Sequence, residues 1–119
     1  MEKPHKKLDA WKISMDLVFE IYKAIEKFPR QEKYGLVDQI RRAAVSVPSN
    51  IAEGAVRQTK KEFSNYLHIA QGSLSELDTQ IELAARLGYL DDHNQNRLDA
   101  MMQRIDKLIT GLIRHLNKP

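Results

Sequence analysis

Residues 41–54 read RRAAVSVPSNIAEG. Small and apolar side chains recur there in helical phase, yet Pro48 stands near the middle and the turn-forming pair Ser49-Asn50 follows it. A proline lacks the N–H of the helical ladder, and its ring clashes with the carbonyl four residues back. The stretch is therefore either two short helices or one kinked helix. The apolar phase decides. Ile40, Ala44, Val47, Ile51 and Gly54 keep three-and-four spacing across the proline, where a true break would reset it. The stretch predicts one long helix kinked at Pro48, with Ser46, Ser49 and Asn50 placed to hydrogen-bond the carbonyls that the kink frees. A second stripe runs beside that seam: Gln39, Ala43, Ser46, Asn50, Glu53 and Arg57. It is polar and flanks the core, so it is expected to face another helix or subunit. Two readings stay open. One is a structural hydrogen-bond network with close packing through Ala43, Ala44, Ala52 and Gly54; the other is a ligand or partner surface at Gln39, Ser46, Asn50 and Glu53.

The same periodicity extends outward. Leu8, Trp11, Met15, Val18, Tyr22 and Ile25 form one seam before it. Phe63, Leu67, Ala70, Leu74, Leu77, Ile81 and Ala84 form another after it, and Leu98, Met102, Ile105, Ile109, Leu112 and Leu116 a fourth. Punctuation separates them. Phe28-Pro29 closes the first helix. Thr59-x-x-Glu62 is a capping box, Gly88 suits the position after a helix end, and Asp91 or Asp92 suits an N-cap. The expected spans are about 9–28, 32–57, 60–87 and 91–117. Short connections favour antiparallel neighbours. The reading is all-α: an antiparallel up-down-up-down four-helix bundle, a single domain over residues 1–119. Ile13, Leu17 and Ile21, and more loosely Tyr66, Ile69, Leu83 and Leu87, fall outside these seams and suggest an assembly surface.

Composition and motifs exclude more than they assign. The chain has no Cys, which removes disulfides and thiolate metal sites and fits a reducing cytoplasm. The N-terminus shows no apolar signal core, and no run approaches the ~18 apolar residues of a membrane span. A di-iron bundle needs Glu-x-x-His on two helices, and the one match is Glu2 to His5 in a terminal arm. There is no His-x-x-x-His pair, phosphate-binding glycine loop or nucleophile elbow. No enzyme, cofactor, metal or small-molecule substrate is expected. Trp11 reads as a core anchor and His68 as a solvated side chain.

Charge is unevenly spread. An antiparallel bundle gathers the N-terminus, the turn between the second and third helices, and the C-terminus at one end. Residues 1–12 carry Lys3, Lys6, Lys7 and Lys12 against Glu2 and Asp9. Residues 57–62 carry Arg57, Lys60 and Lys61 against Glu62, and residues 113–119 carry Arg114 and Lys118. Each segment is +2, so this end holds +6 in a chain whose formal charge is +3. The opposite end balances. Cyclic assembly would turn the charged end into a basic ring. The expected partner is RNA or DNA, held by Lys6, Lys7, Arg57, Lys60 and Lys61, with Arg114 and Lys118 minor. The competing expectation is a protein-interaction scaffold that binds no nucleic acid.

QIRRAAVSVPSNIAEG, followed by YLHIAQGSLSELDTQIELAARLGYL, resembles the four-helix bundle proteins encoded in bacterial 23S rRNA intervening sequences. The likeness runs from LDAWK through the third helix, and its most specific part is Ser46, Pro48, Ser49, Asn50, Ile51, Ala52, Glu53 and Gly54. The resemblance implies a cytosolic homopentamer. It also implies distant similarity to the accessory variability determinant protein of diversity-generating retroelements, a basic pentamer that partners a reverse transcriptase and nucleic acid.

Overall fold

The computed structural model describes residues 3–119; Glu2, counted above in the N-terminal arm, lies outside them. Four helices follow one another: α1 (Asp9–Ile25), α2 (Leu36–Ala55), α3 (Lys60–Arg86) and α4 (Asp92–Leu116). Short 3-10 turns at Pro4–Lys7 and Arg30–Glu32 precede α1 and α2. Sequence chemistry sets the ends. At the start of α3, Thr59 Oγ1 accepts the Glu62 N–H at 3.1 Å and donates to Glu62 Oε1 at 2.9 Å. Its C-terminus closes on Gly88 at φ +82, with Gly88 N–H donating to Ala85 and Tyr89 N–H to Ala84, each at 3.0 Å. Asp91 caps α4 by accepting the Asn94 N–H at 2.8 Å. Two boundaries differ from expectation. α1 stops at Ile25, not 28, because Lys27 and Phe28 already bond three residues back to Ala24 and Ile25 as the chain tightens before Pro29. α2 begins at Leu36, not 32, because residues 30–32 form their own 3-10 turn and Gly35 leaves helical geometry.

α2 runs unbroken through Pro48, as the uninterrupted phase required. The serine and asparagine after the proline bond back as expected: Ser49 Oγ donates to the Val45 carbonyl at 2.7 Å, and Asn50 Nδ2 to the Ser46 carbonyl at 2.8 Å. Ser46 differs. Its hydroxyl leaves its own helix and shares a 2.8 Å hydrogen bond with Ser73 of α3.

The bundle is a rod of 48 × 23 × 22 Å. α2 packs on α1 and α3, and α4 packs on the same two, so α1 and α3 occupy opposite corners. The expected seams of α2, α3 and α4 are buried over most of their length: Ile40, Ala44, Val47 and Ile51, then Leu67, Ala70, Leu77 and Ala84, then Ile105 and Ile109 are fully enclosed, whereas Val37, Phe63, Leu112 and Leu116 are half-buried and Ile113 takes the last core position of α4. α2 and α3 share the most extensive contact, and at Gly54 the missing side chain lets Phe63 and Tyr66 of α3 approach the α2 backbone.

The seam of α1 is a correction. Its buried positions are Ala10, Ser14, Leu17, Ile21 and Ile25, with Phe28 just beyond the helix. Leu17 and Ile21, assigned to an outer surface by periodicity, are 0% exposed, whereas Tyr22, assigned to the core, is 43% exposed. Met15 and Val18 are half-buried beside the seam, and Trp11 packs against its edge. The true seam passes through Ser14, whose hydroxyl is hidden by a 2.6 Å bond to the Ala10 carbonyl.

Candidate nucleic-acid interface

Three segments build the basic end. The first is the 3-10 turn Pro4–Lys7, which packs on α1 and α2. His5 meets the Trp11 ring edge-on at 5.0 Å and so pins the arm to α1. Lys6 and Lys7 are left exposed. The second is the α2–α3 hairpin, where Lys60 and Lys61 occupy the exposed first turn of α3. The third is the end of α4, whose Lys107, Leu108, Gly111, Leu112 and His115 line a groove with Leu8, Asp9 and Ala10. That groove and the docked arm bring the chain's two ends together beside the hairpin.

The five cations singled out by sequence are not equivalent. Lys6, Lys7, Lys60 and Lys61 form no ion pair among the described residues. Arg57 is engaged. Its guanidinium pairs with Glu53, donates to Tyr66 Oη at 2.9 Å and lies 4.9 Å over the Tyr66 ring. It clamps the hairpin, tying the end of α2 to α3. With Glu53 counted, the hairpin's Arg57, Lys60 and Lys61 face two carboxylates, Glu53 and Glu62, and the local excess falls to +1. Glu53 at i and Arg57 at i+4 were legible in the sequence; Tyr66, on the next helix, was not.

The polar stripe of α2 divides. Asn50 Nδ2 reaches both the Ser46 carbonyl and Ser46 Oγ, at 2.8 and 2.9 Å, and Ser46 reaches Ser73. These half-buried groups form a network between α2 and α3 that satisfies its own polar atoms. Gln39 and Glu53 lie exposed beyond it, Glu53 committed to Arg57.

A groove between α3 and α4 has the opposite sign. Asp78, Asp99 and Asp106 line it with Ser75 and Gln103, around about 280 Å³. Burial, then the charges of Asp99 and Glu82, hold the Asp78 carboxyl above the ordinary 3.8. A carboxyl raised in the fold contributes stability below 3.8, and that contribution is lost as pH rises through the folded value. Asp78→Asn should therefore stabilise the bundle at neutral pH, with the gain over wild type vanishing in acid. Urea midpoints of both proteins across pH check this; a difference that does not grow with pH contradicts it.

Sequence reasoning missed one feature altogether. Met15, Val18, Phe19 and Tyr22 line an outward groove of about 400 Å³ with Lys23 and Glu26. A seam assignment that placed Met15, Val18 and Tyr22 inside concealed it.

Among the described residues, no group of three or more His, Asp or Glu side chains is placed to hold a metal, and no helix is long and apolar enough to cross a membrane. No curated protein matches the chain. Among solved structures, a protein of unknown function from the S23 ribosomal protein family of Bacteroides thetaiotaomicron matches at 25% identity and a TM-score of 0.79, over 87% of this chain and 97% of that one. The family model described as 23S rRNA-intervening sequence protein matches residues 6–111, a span that begins inside the basic turn at Lys6 and takes in the α2–α3 hairpin and most of α4. On that match the chain belongs to the 23S rRNA-intervening sequence protein family.

Proposed function

We propose that this bundle is a non-enzymatic, cytoplasmic homo-oligomer that grips the phosphate backbone of RNA or DNA through its basic end. A homopentamer is the assembly that the family likeness implies. The observation that carries the binding is the set of four exposed lysines, Lys6, Lys7, Lys60 and Lys61, without ion-pair partners among the described residues and gathered from two segments at one end. Unpaired ammonium groups attract phosphates at no cost in broken ion pairs, and cyclic symmetry repeats them around one face. Arg57 contributes less, because Glu53 and Tyr66 already engage it. The four lysines offer charge without base-reading geometry, so binding is to phosphates and largely independent of sequence.

A mobility-shift series in salt tests this. Affinity for structured RNA should fall steeply with salt. Lys60→Glu with Lys61→Glu, or Lys6→Glu with Lys7→Glu, should weaken binding and flatten the log–log slope by about 0.7–0.9 for each phosphate no longer neutralised. Arg30→Glu with Lys33→Glu, at the balanced end, should leave it unchanged. Absence of a shift at low salt overturns the proposal. So does wild-type behaviour of both lysine pairs. The scaffold reading then takes over, and it has its own support: Phe19, Ile69, Leu83 and Leu87 are each about half exposed or more.

A further inference from the structure

Two apolar stripes stay open once the bundle has formed. On α1, Phe19 is 66% and Tyr22 43% exposed, beside the groove they share with Met15 and Val18. On α3, Leu83 is 48% and Leu87 50% exposed. The two helices stand at opposite corners, so neither stripe covers the other within one chain.

Their heights along the bundle agree. Glu20 of α1 pairs with Arg97 of α4 at 2.9 Å, and Gln95 of α4 bonds Glu82 of α3 at 3.1 Å. Arg97 and Gln95 are two residues apart, about 3 Å of helical rise. Glu20 and Glu82 therefore lie at nearly one level. α1 and α3 also run in the same direction, each being antiparallel to α4. Tyr22 thus stands level with Leu83 to within about one turn, with Phe19 about a turn before that level and Leu87 about a turn beyond it.

The charges beside the stripes are complementary in the same order. Lys23 and then Glu26 border the α1 groove. At matching levels α3 carries Glu82 and then Arg86, both exposed. Two of the present pairs are local, Lys23 with Glu20 and Arg86 with Glu82, each within a turn of one helix, while Glu82 also accepts from Gln95 of α4. Such exposed pairs are weak and exchange readily.

We propose that a second copy of this chain covers the α1 groove. The α3 ridge of the next copy, Leu83 and Leu87, seats against Phe19 and Tyr22, with Lys23 facing that copy's Glu82 and Glu26 facing its Arg86. The contact joins two different surfaces, so it repeats head to tail and closes by rotation about an axis along the bundles. Matching heights are what such closure requires. It also turns every basic end to the same face. The inference rests on the homo-oligomer reading above and gives that oligomer its interface.

Native mass spectrometry of two variants, alone and mixed, tests it. Phe19→Glu breaks the α1 surface; Leu83→Glu with Leu87→Glu breaks the α3 surface. All three positions are exposed, and circular dichroism checks that the variants remain helical. Each variant alone should be monomeric. An equal mixture should give a heterodimer and nothing larger, because one intact α1 groove meets one intact α3 ridge and no second pair of surfaces remains. Reversing Lys23 and Glu26 to Glu and Lys should weaken wild-type assembly, and reversing Glu82 and Arg86 to Lys and Glu in the same chain should restore it. Variants that assemble like wild type, or a mixture that stays monomeric, overturn this interface while leaving an oligomer in place. A wild type that is itself monomeric at micromolar concentration removes the oligomer reading as well.

Discussion

Leu17→Ala should lower the stability of the bundle by about 2–5 kcal/mol, the range for emptying a fully enclosed leucine site. Phe19→Ala, two residues along the same helix, should change it by no more than about 0.5 kcal/mol when both are measured in the monomeric Leu83→Glu, Leu87→Glu background. Leu17 is 0% exposed on the seam that α1 buries, and Phe19 is 66% exposed. The contrast is larger than hydrophobicity suggests, since both are large apolar side chains on one helix. Urea midpoints at constant slope measure it directly. A large loss at Phe19 with little at Leu17 would restore the phase inferred from periodicity alone. The result also separates folding from assembly. Substituting Glu at Leu17 should unfold the chain and so leave the proposed assembly untested, whereas Glu at Phe19 should test it.

That phase is where periodicity misled, and the reason is physical. α1 carries two interleaved stripes. Leu8, Trp11, Met15, Val18 and Tyr22 form the more hydrophobic one; Ala10, Ser14, Leu17 and Ile21 form the other. Periodicity favours the first. The fold buries the second, because small residues at 10 and 14 let α1 settle against its neighbours and the Ser14 hydroxyl finds an acceptor one turn back. Hydropathy counts that serine as polar and cannot see the bond that cancels its cost. In α2, α3 and α4 one apolar phase is continuous enough to decide, and it is the phase buried over most of each helix, although α3 leaves Ile69, Leu83 and Leu87 open. Their caps at Thr59, Gly88 and Asp91 were equally legible, since capping is local chemistry. At the basic end, topology alone located the lysines. The engagement of Arg57 depends on Tyr66, and the Ser46–Ser73 bond on the pairing of α2 with α3, so both lay beyond a linear reading.

The second large effect is expected at Gly54, which holds the hairpin together. A Cβ there would lie 2.7 Å from Tyr66 Cβ and 2.9 Å from Phe63 Cδ1. The Phe63 ring can swing away. Tyr66 Cβ cannot, because it moves only with the backbone of α3. Gly54→Val should therefore cost about 3 kcal/mol, the upper end for overpacking a tight contact. Gly54→Ala should cost less, since alanine recovers about 1 kcal/mol of helix propensity. The partner at 66 supplies the decisive comparison. Tyr66→Ala keeps the clashing Cβ and should not rescue Gly54→Ala. Tyr66→Gly removes it, and in that background Gly54→Ala should turn from destabilising to stabilising. The same sign in both backgrounds would mean that Tyr66 is not the limiting contact and would leave the Phe63 carbonyl, 3.3 Å from the same position, as the barrier. The consequence reaches function, because Arg57 bonds Tyr66 and the next helix begins at Lys60. Forcing α2 from α3 at Gly54 separates that clamp and displaces Lys60 and Lys61 from the arm bearing Lys6 and Lys7. On the proposed phosphate-binding reading, Gly54→Val should thus weaken RNA binding at temperatures where the variant is still folded, although it changes no charge.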